Sequence, residues 1–428
     1  MIFKHLLFGL LLLDDLYKVF LKTAADRHQK KPLPEEVKDI YSPEKYQEFL
    51  NREHDYVPLF TAARIVSIVL NAFMIYSPFY RWMETLGQRN EYLILVITIV
   101  IHELISFLFR LPRSYYATFT IEEKYGLNRK TKKEFFKDEL IGLFTELMMS
   151  IGLYLFFAFL FRHLSSWAGG FNITYLQAFL LVLVLAAVSF AVIFAISITG
   201  YLIQRRMYTY TDLPEGELRD KIMALTKGAK KKIRRIEVYN ESKKSTGKNA
   251  YMLKILWYRA FGIADNYLDG NSERELLSVL AHEAGHLKHK KTILEYAGWG
   301  FALLILIVLA WLLPNGMYVV QLAEQISSAF GLTVNNYVLL ISFIGAVLTP
   351  LSLIAGIYTN YVSRKNEYEA DHNAVIEGYG EELIATFKKM GSDELIDVDP
   401  APVIEFLEHD HPSIVKRIQA IRNAEASR

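Results

Sequence analysis

Two histidines and a glutamate in the stretch AHEAGH (281–286) have a spacing suited to binding a metal ion. His282 and His286 are four residues apart, so on a helix both imidazoles project from one face and can hold one Zn²⁺ ion. Glu283 follows His282 directly, where its carboxylate can take the proton of a water held by the metal. The stretch therefore predicts hydrolysis by an activated water.

The residues around this stretch predict the helix that positions it. In NSERELLSVLA (271–281), Ser272 is a suitable N-cap and acidic residues follow in the first turn. Gly285 lies inside this helix, where glycine costs stability, so we expect it to permit close packing or substrate approach. The chain has no cysteine, which excludes disulfides, a thiol nucleophile and a thiolate-bound metal.

A catalytic zinc needs a third protein ligand, which must come from elsewhere in the chain. His289 lies about 10 Å along the helix from the first histidine, which is too far to share the ion, and Thr292 stands where a metzincin has its third histidine. In SRKNEYEADHNAVIEGYG (363–380), Glu367 and Asp371 lie one helical turn apart. Glu367 is the predicted ligand, and Asp371 is predicted to hold a ligand histidine by its other ring nitrogen.

A third stretch, HDHPSIVKRIQAI (409–421), places His411 before Pro412 and therefore in an extended turn ahead of a helix. One interpretation is an ordinary surface or capping histidine. The other is a donor to the oxyanion that forms when a peptide carbonyl is attacked. The residues by themselves leave both open.

The apolar residues are concentrated in blocks long enough to cross a membrane. Hydrophobic residues make up 52% of the 428 residues and charged residues 22%, so the excess is not spread evenly. The first block, within 1–22, lacks a small-residue cleavage site and is interpreted as a retained span. Six further runs are predicted to be membrane-spanning helices: 59–80, 92–112, 140–162, 173–203, 293–314 and 333–362.

The distribution of Lys and Arg predicts the orientation of these spans. The segments 22–58, 113–139, 204–292 and 363–428 hold 7, 7, 19 and 8 of these residues, and the alternating segments at most two each. This asymmetry places the N-terminus outside and the C-terminus, with all three metal-site stretches, in the cytoplasm. The basic stretch 227–248 is predicted to face anionic lipid headgroups. A net charge of +2 does not suggest nucleic acid.

Several polar residues interrupt the predicted spans. Because each is costly against lipid, each should face a neighbouring helix or water. So many of them favour a hydrated interior over a tightly packed bundle. They are Arg64, Asn71, His102, Glu103, Arg110 and Glu146.

The three metal-site stretches, in this order, resemble the CAAX prenyl protease 1 family of membrane zinc metallopeptidases. The resemblance extends to 33–56, 111–140 and NAYML (249–253), and so covers nearly the whole chain. It implies an all-α integral membrane protein with seven transmembrane helices around a large water-filled chamber. A mostly helical cytoplasmic zinc-protease domain would carry a short β edge strand and one Zn²⁺ per chain.

The resemblance also implies roles for individual residues. His282, His286 and Glu367 match the family's zinc ligands, and Glu283 matches its catalytic glutamate. Asp371 matches the aspartate outside the ligand set.

Further roles follow from the same resemblance. His411 matches the histidine that steadies the tetrahedral intermediate, and Arg417 matches the arginine that pairs with the aspartate. Asn249, Ala250 and Tyr251 match an edge strand that takes the substrate as an added strand.

The predicted organisation has four parts. Residues 1–203 form an N-terminal membrane region with spans 1–5 and cytoplasmic loops 22–58 and 113–139. The others are a protease segment with the edge strand and zinc helix (204–292), spans 6–7 (293–362), and a C-terminal protease segment with the third ligand (363–428).

The predicted function is a membrane-embedded zinc metalloendopeptidase. It would hydrolyse C-terminal CAAX-type, prenylated or related membrane-associated peptides by Glu-assisted attack of zinc-bound water. The alternative is a quality-control protease for membrane proteins without CAAX specificity. A transporter or scaffold with structural zinc predicts a closed four-ligand site instead. A protease that cuts within the membrane ranks lower, because the ligands flank the spans.

The expected partners are peptide or protein substrates, lipidated ones included, and membrane lipids. No nucleic acid is expected and no oligomer is implied. The chain lacks cysteine and a dibasic retrieval tail, which favours a prokaryotic inner membrane over the endoplasmic reticulum, with the active site facing the cytoplasm.

Overall fold

The computed structural model describes residues 1–167, 174–229, 233–255, 258–289 and 319–427. These residues are mostly helical and include one small sheet, which agrees with the predicted fold class. The predicted span 293–314 and residues 230–232 of the basic stretch lie outside the described residues.

The N-terminal half of the chain is helical. Its helices are α1 (Ile2–His28), α2 (Pro43–Asp55), α3 (Val57–Tyr76), α4 (Phe79–Leu86), α5 (Glu91–Tyr116), α6 (Lys132–Trp167) and α7 (Tyr175–Met207).

Four helical stretches among the described residues are long and apolar enough to cross a membrane: Pro43–Tyr76, Glu91–Glu122, Lys132–Phe159 and Tyr337–Ile376. Helix α1, which carries Asp14 and Asp15, is not among them. The count of seven spans therefore stays a prediction.

A cavity of about 770 Å³ lies beside α3 and α5. Five of the six polar residues that interrupt the predicted spans line it, namely Arg64, Asn71, His102, Glu103 and Arg110. The sixth, Glu146 on α6, accepts two hydrogen bonds from Arg110 at 2.7 and 2.8 Å. Arg64 likewise donates to Asp15 on α1 at 2.8 Å. The polar residues thus face a cavity and one another, as the cost of burying them in lipid requires.

The second half of the chain begins with a four-stranded sheet, which includes the predicted short edge strand. Its strands are β1 (Tyr210–Asp212), β2 (Arg235–Tyr239), β3 (Ala250–Ile255) and β4 (Tyr258–Ala264), in the order β1-β2-β4-β3. Strands β2 and β4 are parallel and the other pairs antiparallel. The sheet forms because Ile236, Phe261 and Ile263 are fully buried in one core with the helices that follow.

Those helices are α8 (Glu217–Leu225), α9 (Asp265–Gly270), α10 (Glu273–Lys288), α11 (Val319–Ala329), α12 (Tyr337–Ile376), α13 (Gly380–Asp393), α14 (Pro402–Leu407) and α15 (Ile414–Ala426). Helix α12 has 40 residues and is about 60 Å long, twice the thickness of the hydrocarbon core. Its C-terminal part therefore extends beyond the bilayer, where α10, α13 and α15 pack around it.

Candidate active site

Helix α10 carries the first two candidate ligands. It begins with a capping box, in which Ser272 accepts from the backbone N–H of Glu275 and the Glu275 side chain accepts from that of Ser272. Its apolar face, including Leu277 and Leu280, is buried in the core. His282 and His286 lie one turn apart on the same helix, and their imidazoles face Glu367.

The third candidate ligand comes from α12. Glu367 Oε2 lies 3.4 Å from His282 Nε2, and Glu367 Oε1 lies 3.2 Å from His286 Nε2. The donor atoms of these three residues all lie within 4.8 Å of one another, and Glu283, the residue after His282, is half-buried. His289 stays outside the group and instead pairs with Glu369 at 2.7 Å.

This group fits a divalent metal ion. Glu367 is buried, and its Oε2 accepts no hydrogen bond from any described residue. Arg417 Nη2 lies 3.6 Å from this oxygen, beyond hydrogen-bond reach, so a metal ion beside it would supply the closer positive charge that a buried carboxylate needs. Two imidazoles and a carboxylate are the donors that one ion would take up.

Asp371 on α12 fixes the first imidazole. Its Oδ1 lies 2.9 Å from His282 Nδ1, so Nδ1 donates to it and Nε2 is left to face Glu367. Burial by itself lowers the pKa of His282, but the hydrogen bond to Asp371 and the nearby Glu367 carboxylate raise it to about 9.

The second partner of Asp371 is Arg417 on α15, which donates from Nη2 at 2.6 Å and from Nε at 2.9 Å. Burial lowers the pKa of Arg417, but attraction to Asp371 and the hydrogen bonds outweigh it and the net shift is upward. The guanidinium also lies over the Phe387 ring, 4.2 Å from its centre. Three helices therefore converge on one carboxylate.

The two ligand-bearing helices approach closely at Gly285. A Cβ atom at this position would lie 2.7 Å from Ala370 Cα, so only glycine fits without moving a backbone. Asn373, which sequence reasoning missed, donates to the Ala281 carbonyl at 2.7 Å across the same contact. Its partner is a backbone carbonyl, which every residue has, so no pattern in the sequence indicates this contact.

His411 lies at the edge of the same site. Its Nε2 is 3.5 Å from Glu367 Oε1, and its Nδ1 is 2.7 Å from Asp410 Oδ1. The side chain is 56% exposed, so burial does not hold it. Asp410, a second residue that sequence reasoning missed, accepts from Nδ1 and turns Nε2 toward the site.

The predicted substrate strand lies at the open edge of the sheet. Ala250 and Tyr251 belong to β3, which pairs only with β4 among the described strands, and Asn249 precedes it. The Asn249 carbonyl accepts from Ala264 N–H at 2.9 Å. Tyr251 crosses Gly262, where a Cβ would lie 2.5 Å from its ring. Helix α10 packs against this strand.

Comparisons with known proteins agree with this arrangement. Residues 24–196 match the family described as CAAX prenyl protease N-terminal, five membrane helices, and residues 212–425 match peptidase family M48.

Individual relatives match most of the chain. A CAAX prenyl protease 1 homolog of Oryza sativa subsp. japonica is 24% identical over 96% of both chains. A probable CAAX prenyl protease 1 of Schizosaccharomyces pombe is 29% identical over 74% of this chain and 63% of that protein. The crystal structure of S. mikatae Ste24p shares the fold, with a TM-score of 0.75 at 20% identity over 98% of this chain and 99% of that one.

The fold and the site together define a multi-pass membrane metallopeptidase that acts on peptide or protein substrates. The chain belongs to peptidase family M48.

Proposed function

We propose that the chain is a zinc endopeptidase that cleaves C-terminal CAAX-type or related membrane-associated peptides. The group of His282, His286 and Glu367, with donor atoms within 4.8 Å, carries the proposal. Two imidazoles and one carboxylate are the donor set of catalytic zinc sites that keep a position for water. The names of the relatives support a CAAX-type substrate.

Each residue of the site has a separate task. A zinc ion bound there supplies Lewis acidity, which polarises the scissile carbonyl and makes a water more acidic. Glu283 accepts the proton of the attacking water on its carboxylate and passes it to the leaving amine. His411 donates from Nε2 to the oxyanion. Asp371 and Arg417 keep the first imidazole in place.

The register of the edge strand supports a particular set of backbone groups as the ones that hold the substrate. Because the Asn249 carbonyl bonds to β4, alternation turns the backbone of Tyr251 toward β4 as well. The N–H and C=O groups of Ala250 and Met252 therefore point to the open edge. An extended substrate pairs with these two residues as an added strand.

The site faces the cytoplasm, and the protein lies in a prokaryotic inner membrane. The excess of Lys and Arg in the segments that carry the site supports this orientation. The cavity beside α3 and α5 offers room for apolar or lipidated parts of a substrate. The basic stretch 227–248 offers contacts to anionic lipids.

Metal analysis with a cleavage assay tests the proposal. The purified protein should contain one zinc per chain, and o-phenanthroline should stop cleavage. Glu283→Gln should keep the zinc and lose cleavage, whereas the exposed control Glu381→Gln should keep both. Cleavage by the Glu283→Gln protein at the wild-type rate would overturn the mechanism.

The choice of substrate decides the specificity. A farnesylated CAAX peptide should be cleaved faster than an unfolded membrane protein of the same concentration. The opposite preference, again dependent on Glu283, would keep the chemistry and replace the CAAX assignment with membrane-protein quality control.

A further inference from the structure

The turn that carries His411 follows a very short helix. Helix α14 has six residues and ends at Leu407 without a left-handed capping residue, since Glu408 has a φ of −117°. The last carbonyls of a helix have no partner within it and need donors from elsewhere. The position of His411, only four residues beyond, depends on what satisfies them.

The donors come from α12, the helix that also carries Glu367. Arg364 donates from Nη1 to the Glu405 carbonyl at 2.8 Å and also to the His409 carbonyl. Asn360, one turn earlier, donates from Nδ2 to the Leu407 carbonyl at 3.1 Å.

The hydrogen bond from Arg364 to the His409 carbonyl fixes the backbone two residues before His411. On the other side, Pro412 and Ser413 are buried at the start of α15. His411 itself is more than half exposed, so its backbone attachments set its position, and Asp410 then sets the direction of Nε2. Arg364 lies three residues before Glu367 on α12. The same helix therefore carries the candidate metal ligand and holds the turn that leads to His411.

We propose that Arg364 is a positioning residue that sets His411 against the metal site; this rests on the role proposed above for His411. Arg364 does not touch the substrate. It fixes the 405–409 turn at a constant distance from Glu367, so that His411 Nε2 reaches the oxyanion. Asn360 supports the same turn through one weaker contact.

A double-mutant cycle tests this inference in the full-length protein, with whichever of the two substrates the wild type cleaves. Arg364→Met removes the donors and keeps the length of the side chain. It should lower kcat about tenfold or more, since small displacements near a reacting centre are costly, and leave KM and zinc content unchanged. In an H411A background, the same substitution should leave kcat unchanged.

Two further variants separate positioning from stability. Arg364→Lys keeps a charged donor that can bond to one or two of these carbonyls and should recover part of kcat. Lys365→Met changes an exposed cation next along the helix and should keep wild-type kcat and thermal stability.

The possible failures are distinguishable. Equal losses from Arg364→Met in the wild-type and H411A backgrounds, or no loss in either, would overturn the inference alone. An H411A protein with wild-type kcat would overturn the role of His411 and the inference together.

Discussion

Charged side chains form ion pairs in two regions of the molecule, the membrane helices and the metal site, and they are paired differently. In the membrane helices, Arg110 and Glu146 form a two-bond pair at 2.7 and 2.8 Å. In the site, Asp371 is occupied by His282 and by an arginine. Glu367 differs from these two carboxylates because its Oε2 accepts no hydrogen bond from any described residue.

The comparison shows what separates a structural charge from a functional one. Both oxygens of Glu146 accept hydrogen bonds from Arg110, so this carboxylate is neutralised by its own partner. Glu367 Oε2 lies 3.4 Å from His282 Nε2 and 3.6 Å from Arg417 Nη2 without a hydrogen bond to either, so a metal ion held with the two imidazoles would be its closest positive charge. The same type of substitution should therefore have different effects in the membrane helices and in the metal site.

The largest difference is expected for the carboxylates themselves. Glu367→Gln keeps the shape but removes the charge, so zinc content should fall from one per chain to near zero and cleavage should be lost. Glu146→Gln, the matched change in the membrane helices, should keep the zinc. Zinc content by mass spectrometry and the cleavage rate measure both, and a zinc-loaded Glu367→Gln protein would contradict the ligand assignment.

A smaller difference is expected for the aspartates that pair with arginine. Asp371→Asn weakens the hold on His282 and should reduce zinc affinity about 10–100-fold. Asp15→Asn removes the partner of Arg64 in the membrane helices and should leave zinc affinity unchanged, although it lowers thermal stability. Competition with a fluorescent chelator measures the affinity. Equal zinc affinity in the two variants would count against the role of Asp371.

Two helical glycines give a third contrast. Gly285→Ala places a methyl group 2.7 Å from Ala370 Cα and should destabilise the protein by about 1–3 kcal/mol, with weaker zinc binding because α10 and α12 separate. At Gly142 on α6 no atom lies within 4 Å of an added Cβ. Gly142→Ala should therefore stabilise by about 0.5–1 kcal/mol. Thermal unfolding in detergent measures both, and two shifts of the same sign would refute the close contact.

Local patterns were sufficient to predict α10. Its capping box and the spacing of its histidines lie within one stretch of chain, and the structure has the helix that they predict. Glu367 and Asp371 could be chosen because their own spacing puts both carboxylates on one helix face. The roles of all these residues in catalysis stay predictions.

Long-range features could not be predicted in the same way. In the sheet β2 pairs directly with β4, although β3 lies between them in the chain. No local sequence pattern encodes that choice. Arg364 and Asn373 bind backbone carbonyls, which every residue type has. The sequence does not distinguish Asp410 from other surface acids. Its role depends on the ring nitrogen of His411, which lies beside it in the structure.

The smallest difference is expected for two amides, each on a buried or cavity-lining helix face. Asn373 donates to the Ala281 carbonyl at 2.7 Å across the contact of α10 and α12 and accepts from Lys288 Nζ at 3.2 Å. Among the described residues, Asn71 bonds to Ser67 on its own helix, at 3.5 Å. Asn373→Ala should cost about 1 kcal/mol of unfolding free energy, and Asn71→Ala much less, because a long contact within one helix adds little. Thermal unfolding of the zinc-loaded protein compares them. A larger loss for Asn71→Ala would mean that the interior of the membrane helices, rather than the contact of α10 with α12, is the part of the molecule more sensitive to lost hydrogen bonds.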